Sequence, residues 1–152
     1  MNENIVCEVM LYTYKDLERM CEKVERQALK FALASRNRDV FESANKLLSL
    51  TDEKIAYCNI KVIVDEALNK IGRSNEVKAY HIDGEYYKDI MAREEISERT
   101  YLRRLKRQRA KLYEAITDKH DSEYLAGLIR ASGWLLSLYN KAMSKAKPEI
   151  KA

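Results

Sequence analysis

Between Arg99 and Lys111 the chain places seven cationic side chains and no anionic one: Arg99, Arg103, Arg104, Lys106, Arg107, Arg109 and Lys111. The planar fork of arginine matches the edge of guanine, and lysine serves phosphate as a compact point charge. The chemistry offered is therefore recognition of a polyanion, with the means to read bases as well as backbone. The net charge of the chain is +4, so the +7 of this segment leaves −3 for everything else. Positive charge gathered on one segment is a footprint, whereas a uniform excess would imply loose polyanion binding.

No other set of residues supports a comparable chemistry. His81 and His120 have no nucleophile or carboxylate that the sequence can place beside them. Cys7, Cys21 and Cys58 are an odd count at wide spacings without a CxxC pair, so a zinc site is not expected and the thiols are expected to stay reduced. No catalytic residue, metal or cofactor is anticipated, and the chain is not expected to be an enzyme. The ten Tyr could stack on single-stranded bases, but no RNA-binding motif marks them and they fall at core spacings.

The elements that must position the cationic segment are helical. Four Gly and one Pro leave almost no vocabulary for hairpins or phosphate loops, and 46% apolar with 34% charged residues suits a globular helical chain. Apolar residues recur at helical spacing over 12–35 (Tyr14, Leu17, Cys21, Val24, Ala28, Phe31), and Ser35-Arg36-Asn37-Arg38 breaks the pattern. A second helix fits 39–50, with Phe41, Ala44, Leu47 and Leu48 facing inward. Thr51 followed by Asp52 and Glu53 reads as the N-cap of a helix over 52–71, and Gly72 sits where it should stop. Ser74 could cap a short helix ending at Asp83-Gly84. Helices at 85–94, 98–116 and 122–145 follow, the last carrying Ser132 among its inward residues. The expected fold is all-α: a helical bundle containing a helix-turn-helix, with N-terminal helices and a long C-terminal helix. The organisation is 1–73, 74–117 and 118–152, or all three as one unit.

Within 85–116 the order is a support helix, a turn, and the cationic helix, which is what a helix-turn-helix reader of DNA requires. Ser97 caps the second helix and leaves its first N–H groups free to face a phosphate. Tyr101, Leu105 and Leu112 share one side and can pack on Ile90 and Ile96, so Glu98, Arg99, Leu102, Arg103 and Lys106 project from the other. Arg99 and Arg103 are assigned to bases, Glu98 and Leu102 to supplementary reading, and Lys106, Arg107 and Arg109 to phosphates.

The run Ala79-Tyr80-His81-Ile82-Asp83-Gly84-Glu85-Tyr86-Tyr87-Lys88-Asp89-Ile90, with Ile96-Ser97-Glu98-Arg99-Thr100-Tyr101, resembles the DNA-binding region 4 of sigma-70-type factors. It looks still more like the ArpU/RinA-type phage transcriptional regulators. The resemblance covers about 77–116 and implies binding of double-stranded DNA and control of transcription in prophage or mobile-element genes. Glu94 and Glu95 stand where those families usually have Leu and Gly. The first removes a core contact unless Met91 replaces it, and the second demands a turn without positive φ, or strain.

The final helix carries Trp134, Leu135, Leu138 and Tyr139, a patch that either packs on this chain's own N-terminal helices or forms a homodimer interface. A rival to the DNA reading is a helical protein–protein interaction module in which the basic helix docks an acidic partner and Trp134 anchors an apolar contact. A third reading has the N-terminal helices touching RNA polymerase while the basic helix grips DNA. No apolar run approaches the ~20 residues of a membrane span, and MNENIVCEVM lacks the features of a signal peptide, so a cytoplasmic location without membrane contact is expected.

Overall fold

Ile5, Val6, Cys7, Val9, Met10 and Leu11 are all buried in a single short helix, α1 (Glu3–Thr13), which touches four other helices. Past its first residue only the narrow stripe of Asn4, Glu8 and Tyr12 faces outward, and so wide an apolar arc carries little periodic signal, which is why periodicity places the first helix only from residue 12 and misses this one. Asn2 starts α1 by accepting the Ile5 N–H at 3.2 Å. The structure is a computed structural model that describes residues 1–34, 39–72 and 75–146, and the fold is all-α. Among the described residues there is no strand, and no helix is long and apolar enough to cross a membrane.

After a 3₁₀ turn (Tyr14–Asp16), α2 (Leu17–Ala34) and α3 (Val40–Lys70) form an antiparallel hairpin. Its register shows in Cys21 and Cys58, whose sulfurs lie 4.0 Å apart, and in Glu25 and Lys54, paired at 2.5 Å. The break at Thr51 expected from sequence does not occur. Asp39 caps α3 instead, accepting the Phe41 N–H at 2.9 Å. Thr51 sits mid-helix and turns its hydroxyl back to donate to the Leu47 carbonyl at 2.9 Å. A second correction concerns the two large apolar residues of the outer half. Phe41 is 80% and Leu48 61% exposed, although periodicity has both facing inward. No residue of α2 beyond Val24 and none of α3 before Leu50 is buried. The far part of the hairpin runs past the core, which leaves Phe41 and Leu48 facing outward.

Gly72 ends α3 at φ +80°, in the left-handed region that glycine enters without penalty. The expected cap Ser74, the break at Ser35-Arg36-Asn37-Arg38 and the tail 147–152 lie outside the described residues. The chain then runs through α4 (Asn75–Val77), a π turn (Lys78–Ile82), α5 (Tyr87–Glu94) and α6 (Glu98–Lys119).

The last expected helix is two: α7 (Ser122–Arg130) and α8 (Gly133–Ala146). Ser132 makes the break. Its buried Oγ accepts the Leu135 N–H at 3.2 Å and lies 2.6 Å from the Tyr57 hydroxyl. Tyr57 itself donates to Glu53 at 2.6 Å, so the Ser132 hydroxyl donates to Tyr57. A cap satisfied from both sides stabilises two short helices over one long one. One contiguous core draws on α1 to α3 and on α5 to α8, with Val77 of α4 and Ala79 of the π turn joining it.

Candidate nucleic-acid interface

The cationic helix α6 is anchored along one side and free along the other. Tyr101, Leu105, Leu112 and Ile116 are buried, as is Ile90 on α5, while Ile96 packs against the same core. A polar clamp fixes the helix from α4. Gln108 Nε2 donates to the Glu76 carboxylate at 2.6 Å, its Oε1 accepts the Val77 N–H at 3.1 Å, and Arg104 pairs with Glu76 at 3.2 Å. Burial pushes the Glu76 carboxyl upward, but the bonds from Gln108, from its own backbone amide and from Arg104 outweigh it and hold the group below its usual range. A carboxylate this buried has to be met by donors, and both of its oxygens are.

The turn into α6 is built on a residue that departs from the usual pattern. Glu95 is left-handed at φ +52°, ψ +45°. Its N–H donates to the Ala92 carbonyl at 3.3 Å and the Ile96 N–H to the Met91 carbonyl at 3.1 Å. These are the two bonds of a Schellman stop, with Glu in the place that glycine normally takes. Met91 and Ile96, the apolar pair that accompanies such a stop, both pack on the core. Ser97 then caps α6 as expected: its Oγ accepts the Thr100 N–H at 3.2 Å and the hydroxyl lies 3.0 Å from Thr100 Oγ1. On the near side, Arg93 closes the entry with a two-pronged bond to Glu85 at 2.8 and 3.0 Å.

On the free side, Arg99, Arg103, Lys106, Arg107 and Lys111 are exposed, and none of them makes an ion pair among the described residues. The steps from 99 to 103 to 106 follow one helical row, with Arg107 beside it. Ser97, Glu98 and Leu102 are exposed at the head of the same face, Leu102 to 54%. The first turn is not cationic, however: Glu94, Glu95 and Glu98 crowd it, and among the described residues only Glu94 is ion-paired, with Arg93 at 3.8 Å. The positive row therefore begins at Arg99 and extends away from the turn.

Arg109 takes a place that sequence spacing does not show. It is half-buried, its Nε–H donates to His81 Nε2 at 3.0 Å, and its guanidinium lies over the Tyr12 ring, 5.3 Å from the centroid. Instead of reaching out to phosphate it ties α6 to the π turn and to α1. His81 is buried and stacks edge-on against Tyr12 and Tyr80 at 4.6 and 4.8 Å. Burial, then the neighbouring Arg109 and Lys15, depress it to about 3, so it is a neutral acceptor at ordinary pH.

No family model, curated protein or solved structure matches this chain.

The patch on α8 is turned inward. Leu135 and Tyr139 are buried, Trp134 and Leu138 are partly buried, and Trp134 meets Tyr57 edge-on at 6.0 Å. The Tyr139 hydroxyl accepts the Asn2 N–H at 2.8 Å, fastening α8 to the start of α1. Of the two alternatives read from sequence, packing on the chain's own N-terminal helix is the one observed. Among the described residues no group of His, Cys, Asp and Glu is arranged to hold a metal. Sequence reasoning missed the clamp because Glu76 lies 28 residues from Arg104 and 32 from Gln108, so no local signal joins them.

Proposed function

We propose that this chain is a sequence-reading, double-stranded DNA-binding regulator of transcription that enters the major groove with the exposed face of α6. The observation that carries the reading is the row Arg99, Arg103, Lys106 and Arg107, free of ion pairs on a helix whose start and back are fixed by a Schellman stop, a Ser97 cap and the Glu76–Gln108 clamp. A cationic face on a preset helix retains its charge for a ligand and loses little conformational entropy on binding.

Arg99 and Arg103 reach base edges, while Lys106, Arg107 and Lys111 take phosphates further along. Glu98 and Glu95 repel phosphate, so they keep the helix N-terminus off the backbone and steer it toward the groove floor, where Glu98 can accept from cytosine. The resemblance to sigma-70 region 4 and to phage regulators supports transcription control in mobile-element genes.

The test is fluorescence anisotropy of the chain with a random duplex pool across a salt series, followed by selection of the retained sequences. Salt-steep binding with an enriched motif is the expected result. Salt-steep binding without enrichment leaves a cationic helix that grips DNA without reading it. No binding at ~50 mM salt and micromolar protein discards the reading in favour of an acidic protein partner.

A further inference from the structure

Four large apolar side chains stand on the outer face of α3 at one strict interval: Phe41, Leu48, Ile55 and Val62. They are 80, 61, 50 and 53% exposed, on the side of the helix away from Ala56, Tyr57, Ile60 and Val64, which are buried. Single exposed apolar residues are ordinary on a protein surface. A seven-residue repeat held through four members is not, because a lone surface helix has no reason to keep it. Such a row drifts by ~20° per heptad on a straight helix, and a like helix wound gently around it compensates that drift.

We propose that this row pairs with the same row of a second copy of the chain, making a homodimer through α3. Charge favours a like partner. α3 carries four Lys and five acidic residues, interspersed along its length, so its surface is nearly neutral and suits neither a polyanion nor an acidic peptide. Glu53, Lys54, Asp65 and Glu66 are engaged within the chain, which leaves Glu42, Lys46, Asp52, Lys61 and Lys70, a set of both signs compatible with its own image under a two-fold axis. The area suits a weak pair: the row from Phe41 to Val62 covers about 32 Å of a helix about 10 Å wide, roughly 650 Å² for the two faces together. That is below the roughly 1,000 Å² at which stable interfaces begin, so weak, concentration-dependent association is expected. The inference stands on α3 alone and does not depend on what α6 binds.

The experiment is analytical ultracentrifugation of the full chain, without nucleic acid, from about 1 to about 200 µM. The wild type is expected to pass from the monomer mass of 17.8 kDa to twice that mass. The double variant Leu48→Glu/Ile55→Glu alters two exposed side chains and should keep its helical circular dichroism and its unfolding midpoint at low concentration. Its self-association should weaken by about 100-fold or more, since two carboxylates per copy would be buried without partners. Tyr124→Glu, on the exposed side of α7, should dimerise as the wild type does. A wild type that stays monomeric at the top concentration overturns the proposal. So does a folded Leu48→Glu/Ile55→Glu chain that still dimerises, or association that continues past two copies.

Discussion

α3 and α6 are both long helices with one face in the core, yet their outer faces hold opposite chemistry. α3 shows a spaced apolar row with balanced charge, and α6 shows unpaired cations. The supports behind them differ as well. α6 is held by the buried clamp of Glu76, Arg104 and Gln108 and by Arg109 on His81, whereas among the described residues the outer half of α3 has only α2 beside it. A surface meant to read a rigid lattice of phosphates and base edges has to be set to fractions of an ångström. A surface that closes on a copy of itself can adjust as it packs. The contrast separates two kinds of contact on one molecule, and salt distinguishes them. DNA binding through α6 should weaken steeply as salt rises, with a log–log slope of about −0.9 per phosphate engaged, while self-association through α3 should be nearly flat. If both respond alike to sodium chloride, the division between the two faces fails.

The largest single effect is expected at the cationic row. Arg99→Ala with Arg103→Ala should cost about 2–6 kcal/mol on a selected site and relax preference at the bases they touch, with unfolding free energy changed by less than about 0.5 kcal/mol. Selection on the variant that returns the wild-type motif unchanged would remove both residues from base reading. Next comes the support. Gln108→Ala strips a donor from the buried Glu76 and an acceptor from the Val77 N–H, and should destabilise the chain by about 3 kcal/mol in urea unfolding. A cost below about 1 kcal/mol would show that α4 is not what fixes α6.

Acid should weaken the same region by about 2 kcal/mol between pH 6.5 and 4.5. His81 is held at about 3 in the folded chain, against 6.5 for the free group. In that window the unfolded chain binds a proton that the folded one refuses, so stability falls as pH falls and is unaffected above it. Glu76 is depressed too, and its contribution is lost only further down, as pH drops below its free value of 4.5. His81→Gln keeps an acceptor for Arg109 and should flatten the upper limb of the acid curve. An unchanged slope in urea titrations of that variant would place the acid sensitivity elsewhere.

What could be read from the residues alone followed from how local each signal is. The Ser97 cap, the buried side of α6 and the Gly72 stop depend on neighbours within a turn or two, and they stand where spacing puts them. α1 escaped because its apolar arc leaves a narrow stripe of Asn4, Glu8 and Tyr12 outside, which blurs the period that announces a helix. Thr51 and Ser132 misled in opposite directions. Thr-Asp-Glu has the composition of a helix start, but Leu50 and Tyr57 on either side pack into one core and carry α3 straight through. Ser132 looks like an inward position of a long helix until Tyr57, 75 residues away, gives its hydroxyl a partner. Arg109 likewise reads as one more surface cation, since nothing in the sequence brings His81 and Tyr12 to it.

The smallest expected effect tests how the turn before α6 is held. Glu95 occupies the left-handed region at φ +52°, where a side chain costs about 1 kcal/mol that glycine avoids. Glycine also gives the unfolded chain more freedom, which takes back several tenths. Glu95→Gly should therefore stabilise the chain by only about 0.5 kcal/mol, read as a small rise in unfolding midpoint. Its effect on DNA should be larger, because it removes a carboxylate beside the phosphates and raises affinity most at low salt, where charge is least screened. A Glu95→Gln variant separates the two causes: it keeps the strain and removes the charge. If Gln strengthens binding as Gly does while leaving stability alone, the acidic turn acts on the ligand rather than on the fold. If neither variant changes binding, the duplex does not approach α6 from this end, and the cationic row meets it from Lys111 backwards.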